Sequence, residues 1–408
     1  MTTATVTTAG VVLPTDHPQG HQLWRALLVL TVLRGTLPVF IATVAHGSHI
    51  YDVQVLAQAG SVPLSSQLGF VLDGAIATLV LARCVVLQLH GWHRPQRSTV
   101  LIIVGALLAL ALNYSATHQL NRSVLVLCLA VLGLLLAPPP ATLAVRTFWN
   151  WGLISVVASW AVAGLAPGLA WVSTGTQDRL ALVSGERLTG VFSHPNELAY
   201  WTSALLAVGL SFRVPYRRLG LTVLGLTSFA AGSRTALLAA AILLLIWAVR
   251  GPFGSLARRG LAFGLLAIVA LPVLMTPHFI NSMGRQEIWN NARAHWTASP
   301  LRGHGLFYWQ GIQARIDGFP NFAFHAHNQL LDTLMVSGAL LAGVVFTYLA
   351  MHAWALLTWV RTSRRPLPGL AALVLVTAIT EVPVQFVGID PRTVILVIAT
   401  ITLAYRKA

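Results

Sequence analysis

Long apolar runs recur from one end of the chain to the other, and they restrict the fold more than any other feature. A run of about 18 or more apolar residues can cross roughly 30 Å of hydrocarbon as a helix. Inside a bilayer the backbone amides must find their hydrogen-bond partners within the same segment, so helices are the expected form. The sequence therefore predicts an all-α, polytopic integral membrane protein with a single transmembrane domain over residues 1–408.

The apolar runs and the polar segments between them indicate about twelve transmembrane helices. The expected spans are residues 24–46, 68–89, 99–116, 120–137, 148–167, 198–212, 219–231, 235–249, 261–276, 329–360, 367–385 and 393–405. The composition agrees, because 56% of the residues are apolar and only 9% are charged, whereas a soluble domain carries about 25% charged residues. So few charges cannot cover a protein of this size with a polar surface in water.

The strong positive charge of the chain follows membrane topology. There are 26 Lys and Arg residues against 11 Asp and Glu, a formal net charge of +15. These cations lie singly or in pairs at the ends of the expected spans, and they do not form the continuous basic stripe that is typical of a nucleic-acid partner. Most of them fall on the inner side when the amino terminus is placed in the cytoplasm. We therefore expect both termini to be cytoplasmic and no nucleic-acid binding.

This orientation places a long loop, residues 277–328 between spans nine and ten, on the outer side of the membrane. A loop of about fifty residues usually carries function or secondary structure of its own. It contains several aromatic residues, among them Trp289 and Trp296. We expect it to form short amphipathic helices at the outer membrane surface, among the membrane lipids.

Polar segments on the outer side hold the candidate site residues. They are Arg187, His194 and Asn196 before span six, Arg234 before span eight, Arg285 in the long loop, and His325, His327 and Asn328 before span ten. A guanidinium group offers a planar, permanently charged set of donors that suits phosphate oxygens. An imidazole, with an ordinary pKa of about 6.5, suits a general base. The alternative for each arginine is that it anchors a helix end among lipid headgroups, and His194, His304 and His325 are rivals of His327 as the base.

Some kinds of chemistry are excluded by missing motifs. The outer loops contain no Asp-x-Asp pair, so a Mg²⁺ or Mn²⁺ site of clustered carboxylates is not expected. No Gly-rich phosphate loop of the GxxxxGK[ST] type is present, which argues against nucleotide hydrolysis. Nucleotides are not supplied outside the cell, so a group transfer there needs a donor that is already activated, such as a lipid diphosphate sugar. We expect neither a metal nor a cofactor.

Taken together, these features resemble the O-antigen ligase superfamily, which contains O-antigen ligases, many O-antigen and exopolysaccharide polymerases, and protein O-oligosaccharyltransferases. The similar stretches are Arg187-Leu-Thr-Gly-Val-Phe-Ser-His-Pro-Asn-Glu-Leu-Ala199, Gly232-Ser-Arg-Thr235, Arg285-Gln-Glu-Ile-Trp289, Pro300-Leu-Arg-Gly-His-Gly-Leu306, and His327-Asn328 with the later Gly338. Their order, spacing and common outer side carry the resemblance, which covers most of the chain. One departure is Leu341, where the ligase pattern tends to have Gly, Thr or Tyr.

The resemblance implies a metal-independent, inverting transfer of a glycan from undecaprenyl pyrophosphate at the periplasmic face of the bacterial inner membrane. By the family's pattern, His327 is the general base for the acceptor hydroxyl. Arg187 and Arg234 bind the pyrophosphate and stabilise the charge that grows on it as the sugar leaves. The other expected substrate contacts are His194, Asn196, Arg285, His325 and Asn328.

Four functions remain open at this point. The leading one is the ligase that transfers O-antigen to the lipid A–core oligosaccharide, and the second is a polymerase that uses the same donor and another lipid-linked glycan as acceptor. Transfer to a protein and transport of a lipid-linked glycan are the others. Transport is suggested by ionisable residues in or near the spans, namely Arg34, Asp73, Arg83, Asp332 and Glu381, which are equally compatible with buried pairs. The sequence also leaves open whether Asp332 or Glu197 supports the catalytic residues.

Overall fold

The structure, a computed structural model, describes residues 18–47, 62–89, 122–136, 138–173, 185–248, 252–274, 285–305, 308–309, 325–358, 369–384 and 389–404. Within these residues the chain forms thirteen helices and two short strands. In chain order they are α1 (Pro18–His46), α2 (Pro63–Leu89), α3 (Arg122–Leu135), α4 (Ala141–Leu165), α5 (Pro167–Ala170), β1 (Trp171–Ser173), β2 (Glu186–Leu188), α6 (Pro195–Ser211), α7 (Arg217–Ala230), α8 (Arg234–Ala248), α9 (Pro252–Leu274), α10 (Arg285–Ala298), α11 (Gln329–Thr358), α12 (Gly369–Thr380) and α13 (Pro391–Ala404).

The prediction of an all-α protein is confirmed. Each expected span that falls on described residues contains a helix, and the span expected at residues 99–116 lies outside the described residues. Five helices, α1, α2, α4, α9 and α11, contain stretches long and apolar enough to cross a membrane by length and composition, and α3, α8, α12 and α13 are shorter apolar helices. The number of spans and their orientation stay predictions.

Helices α1, α2 and α3 pack together at one end of the chain. Arg83 of α2 is buried among them, and its Nε and Nη2 donate to the carbonyl oxygens of Gly133 and Leu136 at 3.1 and 3.0 Å. Its Nη1 donates to the carbonyl oxygen of Gly20 at 2.6 Å. A cation at the carboxyl end of a helix is favourable, because the last carbonyl groups of that helix lack partners. Arg83 therefore joins α1 to the end of α3 and is accounted for by helix packing.

Helix α12 is the most enclosed helix of the remaining bundle. Its residues from Gly369 to Ala378 are buried, and it packs against α6, α8, α9, α11 and α13. An apolar helix that is buried all round belongs to the centre of a bundle. Glu381 follows directly after its last residue. The central helix thus carries a carboxylate to the place where several other helices end.

Helix α11 is interrupted at Gly338, whose backbone has φ 73° and ψ −174°. The segment after α10 fills this interruption. The amide of His304 donates to the carbonyl oxygen of Met335 at 2.9 Å. The amide of Ala339 donates to the carbonyl oxygen of Pro300, also at 2.9 Å. In an unbroken helix Ala339 would donate to Met335, so the loop supplies both partners that the break removes.

Replacing Gly338 with alanine should detach this loop. The Gly338 backbone lies in a region that only glycine adopts readily, and a Cβ there would overlap the backbone of Leu301. We expect the free energy of unfolding to fall by about 1–3 kcal/mol, measured by thermal unfolding in detergent. The matched control is Gly343→Ala in the same helix, where a Cβ meets no atom within 4 Å; this change should be neutral or stabilise by about 0.5–1 kcal/mol. Equal melting temperatures for the two variants would contradict the role of the break.

Candidate functional site

Arg187 is placed by a short β-hairpin that lies outside the helices. It is the central residue of β2, which pairs with β1 in antiparallel fashion. The amide and the hydroxyl group of Thr189 both donate to the carbonyl oxygen of Ala170 at 2.8 Å. Gly190 has φ 60°, and a Cβ at this position would overlap Ser159 of α4. The hairpin is therefore held against α4, which fixes the direction in which the Arg187 side chain leaves the backbone.

The guanidinium group of Arg187 is buried and connects two further elements. Its Nε donates to the carbonyl oxygen of Ala231 at 2.9 Å, just before α8, and its Nη2 donates to Oδ1 of Asn196 at 2.8 Å. Asn196 lies in the first turn of α6, and its Nδ2 donates to Oε1 of Glu381 at 3.2 Å. A single asparagine side chain thus links Arg187 to the carboxylate at the end of α12.

The turn that carries His327 approaches the same carboxylate from the start of α11. His327 has φ 49°, an uncommon backbone conformation for a residue other than glycine. The turn is held by Asp332, whose Oδ1 accepts hydrogen bonds from the amide of Ala326 at 2.8 Å and from Nε1 of Trp309 at 2.9 Å. Nε1 of Trp289 donates to the carbonyl oxygen of Ala326 at 2.7 Å. Asp332 therefore supports the backbone of the turn.

Two histidine rings face Glu381 side by side. Nε2 of His325 lies 3.5 Å and Nδ1 of His327 lies 3.8 Å from Oε2 of Glu381, and the two ring centroids are 4.2 Å apart. The three side chains are 14–18% exposed, so a small molecule can reach them. Among the described residues, Nδ1 of His327 has no hydrogen-bond partner. Hydrogen bonds of catalytic groups are often long before a substrate binds.

The same three side chains form a group that could hold a metal ion, since their ligand atoms lie within 4.8 Å of one another. The hydrogen bonds of His325 argue against that use. Its Nδ1 accepts the amide hydrogen of His327 at 3.0 Å, so the neutral ring carries its proton on Nε2. A metal ligand needs a free lone pair on that atom and normally donates through the other ring nitrogen. The donor set therefore suits proton transfer and anion stabilisation better than metal binding.

Arg234 is the first residue of α8, and its side chain is exposed. Residues on both sides of it reach the cluster, a name that we give to five residues: Arg187, Asn196, His325, His327 and Glu381. Ala231 accepts the hydrogen bond of Arg187, and the hydroxyl group of Thr235 lies 2.7 Å from that of Thr380, the residue before Glu381. The structure thus brings the start of α8 to the same place as Arg187 and the two histidines.

A second ionic group lies next to Asn196. Glu197 accepts a short hydrogen bond from the hydroxyl group of Ser193 and lies 3.5 Å from Nη2 of Arg392. Nε of Arg392 lies 2.7 Å from Oδ2 of Asp390. Burial raises the pKa of Glu197, which precedes the apolar part of α6, and the charge of Arg392 opposes this shift. Glu197 therefore ties the start of α6 to the start of α13.

Two further predicted residues, His194 and Asn328, lie around the cluster. Nδ1 of His194 accepts the amide hydrogen of Asn196 at 2.9 Å, which caps the first turn of α6. Asn328 is fully buried; its Nδ2 donates to the carbonyl oxygen of Val269 at 3.0 Å, and its Oδ1 accepts from the amide of Leu331 at 3.0 Å. These two residues position the backbone of the site. The side chain of Arg285 lies outside the described residues. Direct contact of each predicted residue with a substrate stays a prediction.

Sequence reasoning did not identify Glu381 and Arg392 as site residues. A carboxylate near the end of an apolar span is equally compatible with a buried ion pair and with a transport route. Arg392 lies at the end of an expected span, where a cation is accounted for by membrane topology. The small number of acidic residues could have pointed to Glu381. The whole chain has only 11 of them, so each one near the expected outer side was a candidate partner for the predicted base.

No protein-family model matches the chain, and no curated protein matches its sequence closely enough to count as a relative.

Proposed function

We propose that this protein is an integral membrane glycosyltransferase of the O-antigen ligase type, which transfers a glycan from undecaprenyl pyrophosphate to the lipid A–core oligosaccharide. The proposal includes about twelve spans, cytoplasmic termini and a site that faces the periplasm. The reaction is an inverting transfer that needs neither a metal nor a cofactor.

One observation carries this proposal. Arg187 and His327, which are far apart in the sequence, are joined through Asn196 and Glu381. A cationic group suited to phosphate oxygens and a basic group suited to a hydroxyl proton therefore lie in one partly open cluster. A transfer between a lipid diphosphate and an alcohol needs these two groups side by side.

In the proposed reaction, Nε2 of His327 accepts the proton of the acceptor hydroxyl as its oxygen attacks the anomeric carbon. Glu381 faces the other ring nitrogen and stabilises the imidazolium that forms, with His325 and Asn196 holding the carboxylate. The bond between the anomeric carbon and the diphosphate oxygen breaks, and the electron pair leaves with the diphosphate. Attack from the side opposite the leaving group inverts the anomeric configuration.

The arginines act on the leaving diphosphate. Two hydrogen bonds from Arg187 to Ala231 and Asn196 fix the plane of its guanidinium group before substrate binds. Donors that are already oriented stabilise developing charge without a cost of reorganisation at the moment of reaction. Arg234, exposed at the start of α8, supplies the second cation. Because a diphosphate is a good leaving group, no separate general acid is required.

The test is a transfer assay with the purified protein in detergent, without an ion gradient and in the presence of EDTA. The donor is an undecaprenyl-pyrophosphate-linked glycan, and the acceptors are lipid A–core and, separately, a second lipid-linked glycan. Glycan on lipid A–core supports the ligase. Elongated lipid-linked glycan identifies a polymerase instead. No transfer to either acceptor, together with movement of the donor across the membrane of proteoliposomes, would overturn the proposal in favour of a transporter.

Changing Glu381 to glutamine should slow transfer by about 10- to 100-fold, because a charge-assisted contact to the imidazolium is worth about 1.5–3 kcal/mol. Glutamine keeps an oxygen for Asn196, so the local hydrogen bond survives. Glu287→Gln, an exposed change on α10, is the matched control. A transfer rate of Glu381→Gln within about threefold of the unchanged protein would make Glu381 a structural residue.

A further inference from the structure

A net positive charge is held where α1, α2 and α3 meet. Asp73 of α2 lies between two arginines. Nε of Arg34 is 2.6 Å from its Oδ1, and Nε of Arg122 is 3.0 Å from its Oδ2. Both guanidinium groups are permanently charged, so two cations share one carboxylate. The group keeps one positive charge after its internal pairing.

Within the described part of the chain, both arginines retain donors that no other residue uses. Each contacts Asp73 through Nε, and among the described residues no hydrogen bond or ion pair involves the Nη atoms of Arg34 or Arg122. The side chain of Arg122 is 51% exposed and that of Arg34 is 18% exposed. A ligand that approaches from the open side can therefore reach both guanidinium groups.

The surface around these arginines is apolar. Cζ of Arg122 lies 5.0 Å from the ring centroid of Phe70, and Phe70, Val71 and Leu64 are all more than 60% exposed. Helices α1 and α2 are among those apolar enough to cross a membrane. An uncompensated charge in such surroundings is unfavourable, and an anion brought there removes that cost. Arg122 also begins α3, whose first amides add a partial positive charge.

We propose that Arg34 and Arg122 bind the phosphodiester headgroup of a membrane lipid, whose acyl chains lie along Phe70 and Val71. A phosphodiester carries one negative charge, which balances the single positive charge of the arginine–aspartate group. Its oxygens suit the planar donors of guanidinium. The apolar side chains beside the arginines favour a lipid over inorganic phosphate, which offers similar oxygens without a chain. This site uses none of the residues that the proposed transfer reaction uses.

The test is native mass spectrometry of the purified full-length protein titrated with dioleoyl phosphatidylglycerol. Dioleoylglycerol has the same chains without the phosphate, and inorganic phosphate serves as a competitor. We expect Arg122→Gln and Arg34→Gln each to bind phosphatidylglycerol about tenfold more weakly than the unchanged protein, as expected for one lost charge-assisted hydrogen bond. Arg218→Gln, an exposed arginine on α7, removes the same charge elsewhere and should bind normally.

Arg122→Gln is the deciding variant, because it keeps the pair between Arg34 and Asp73 and should fold normally; its melting temperature checks this. Unchanged lipid binding by Arg122→Gln would overturn the proposal. Equal binding of dioleoylglycerol would show that the phosphate is not recognised, which also overturns it. Displacement of the lipid by inorganic phosphate at equal concentration would show that the chain adds nothing and that free phosphate is the ligand.

Discussion

Replacing His327 with asparagine is expected to lower the rate of glycan transfer by about 10² to 10⁴, the usual contribution of a positioned general base. Asparagine is the preferred replacement because it tolerates the left-handed backbone conformation that His327 adopts, with φ 49°. The turn should therefore keep its shape while the base is lost. Binding of the lipid-linked donor should change little, so the loss should fall on kcat.

The matched control is His304→Asn, a histidine of the segment between α10 and α11 that the sequence could not separate from His327 as the base. Nε2 of His304 lies 2.6 Å from the carbonyl oxygen of His295, and its ring packs against Tyr308. Within the described residues, His304 contacts its own segment and α11, and no contact joins it to Glu381. This variant should retain transfer within a few-fold. The reverse pattern, in which His304→Asn is inactive and His327→Asn is active, would contradict the assignment of His327 as the base.

Arg187→Lys should reduce transfer by about 10² to 10³, the typical effect of removing one preorganised charge contact to a transition state. Lysine keeps the charge but cannot donate in one plane to both Ala231 and Asn196, as the guanidinium does. Asn196 would then lose the partner that orients it toward Glu381. The change therefore loosens the phosphate-binding side and the carboxylate side of the cluster together.

Arg218→Lys on the exposed surface of α7 controls for the exchange of one cation for another. Transfer kinetics should be measured beside the melting temperature of each variant, because Arg187 is buried and its loss also affects stability. A folded Arg187→Lys protein whose transfer rate stays within about threefold of the unchanged protein would remove Arg187 from the proposed mechanism.

Several groups act on the two charged residues at the centre of the site. Glu381 is approached by an amide and two imidazole rings, and the positive charge of Arg392 also acts on it. Arg187 donates to neutral oxygens of Ala231 and Asn196. These hydrogen bonds orient the guanidinium group that we propose for the diphosphate.

Secondary structure was predictable here because it depends on local properties. Apolar length and the need to satisfy backbone amides predicted helices at the expected spans, and helices are present wherever those spans fall on described residues. The same reasoning did not predict the hairpin that carries Arg187, because two three-residue strands leave no periodic pattern. The break at Gly338 was also invisible, since a glycine in an apolar run is compatible with a continuous helix.

The sequence by itself determined the helical class, the positive charge at the helix ends and the residue types available for chemistry on the expected outer side. Only the tertiary structure decided that Asn196 joins Arg187 to Glu381, that His325 and His327 share that carboxylate, and that Asp332 serves the backbone of the turn. The reason is physical: helix formation depends on neighbours in sequence, whereas the partner of a side chain depends on which helix ends meet in space. That meeting is set by the packing of α12 at the centre of the bundle and by the loop that fills the break in α11.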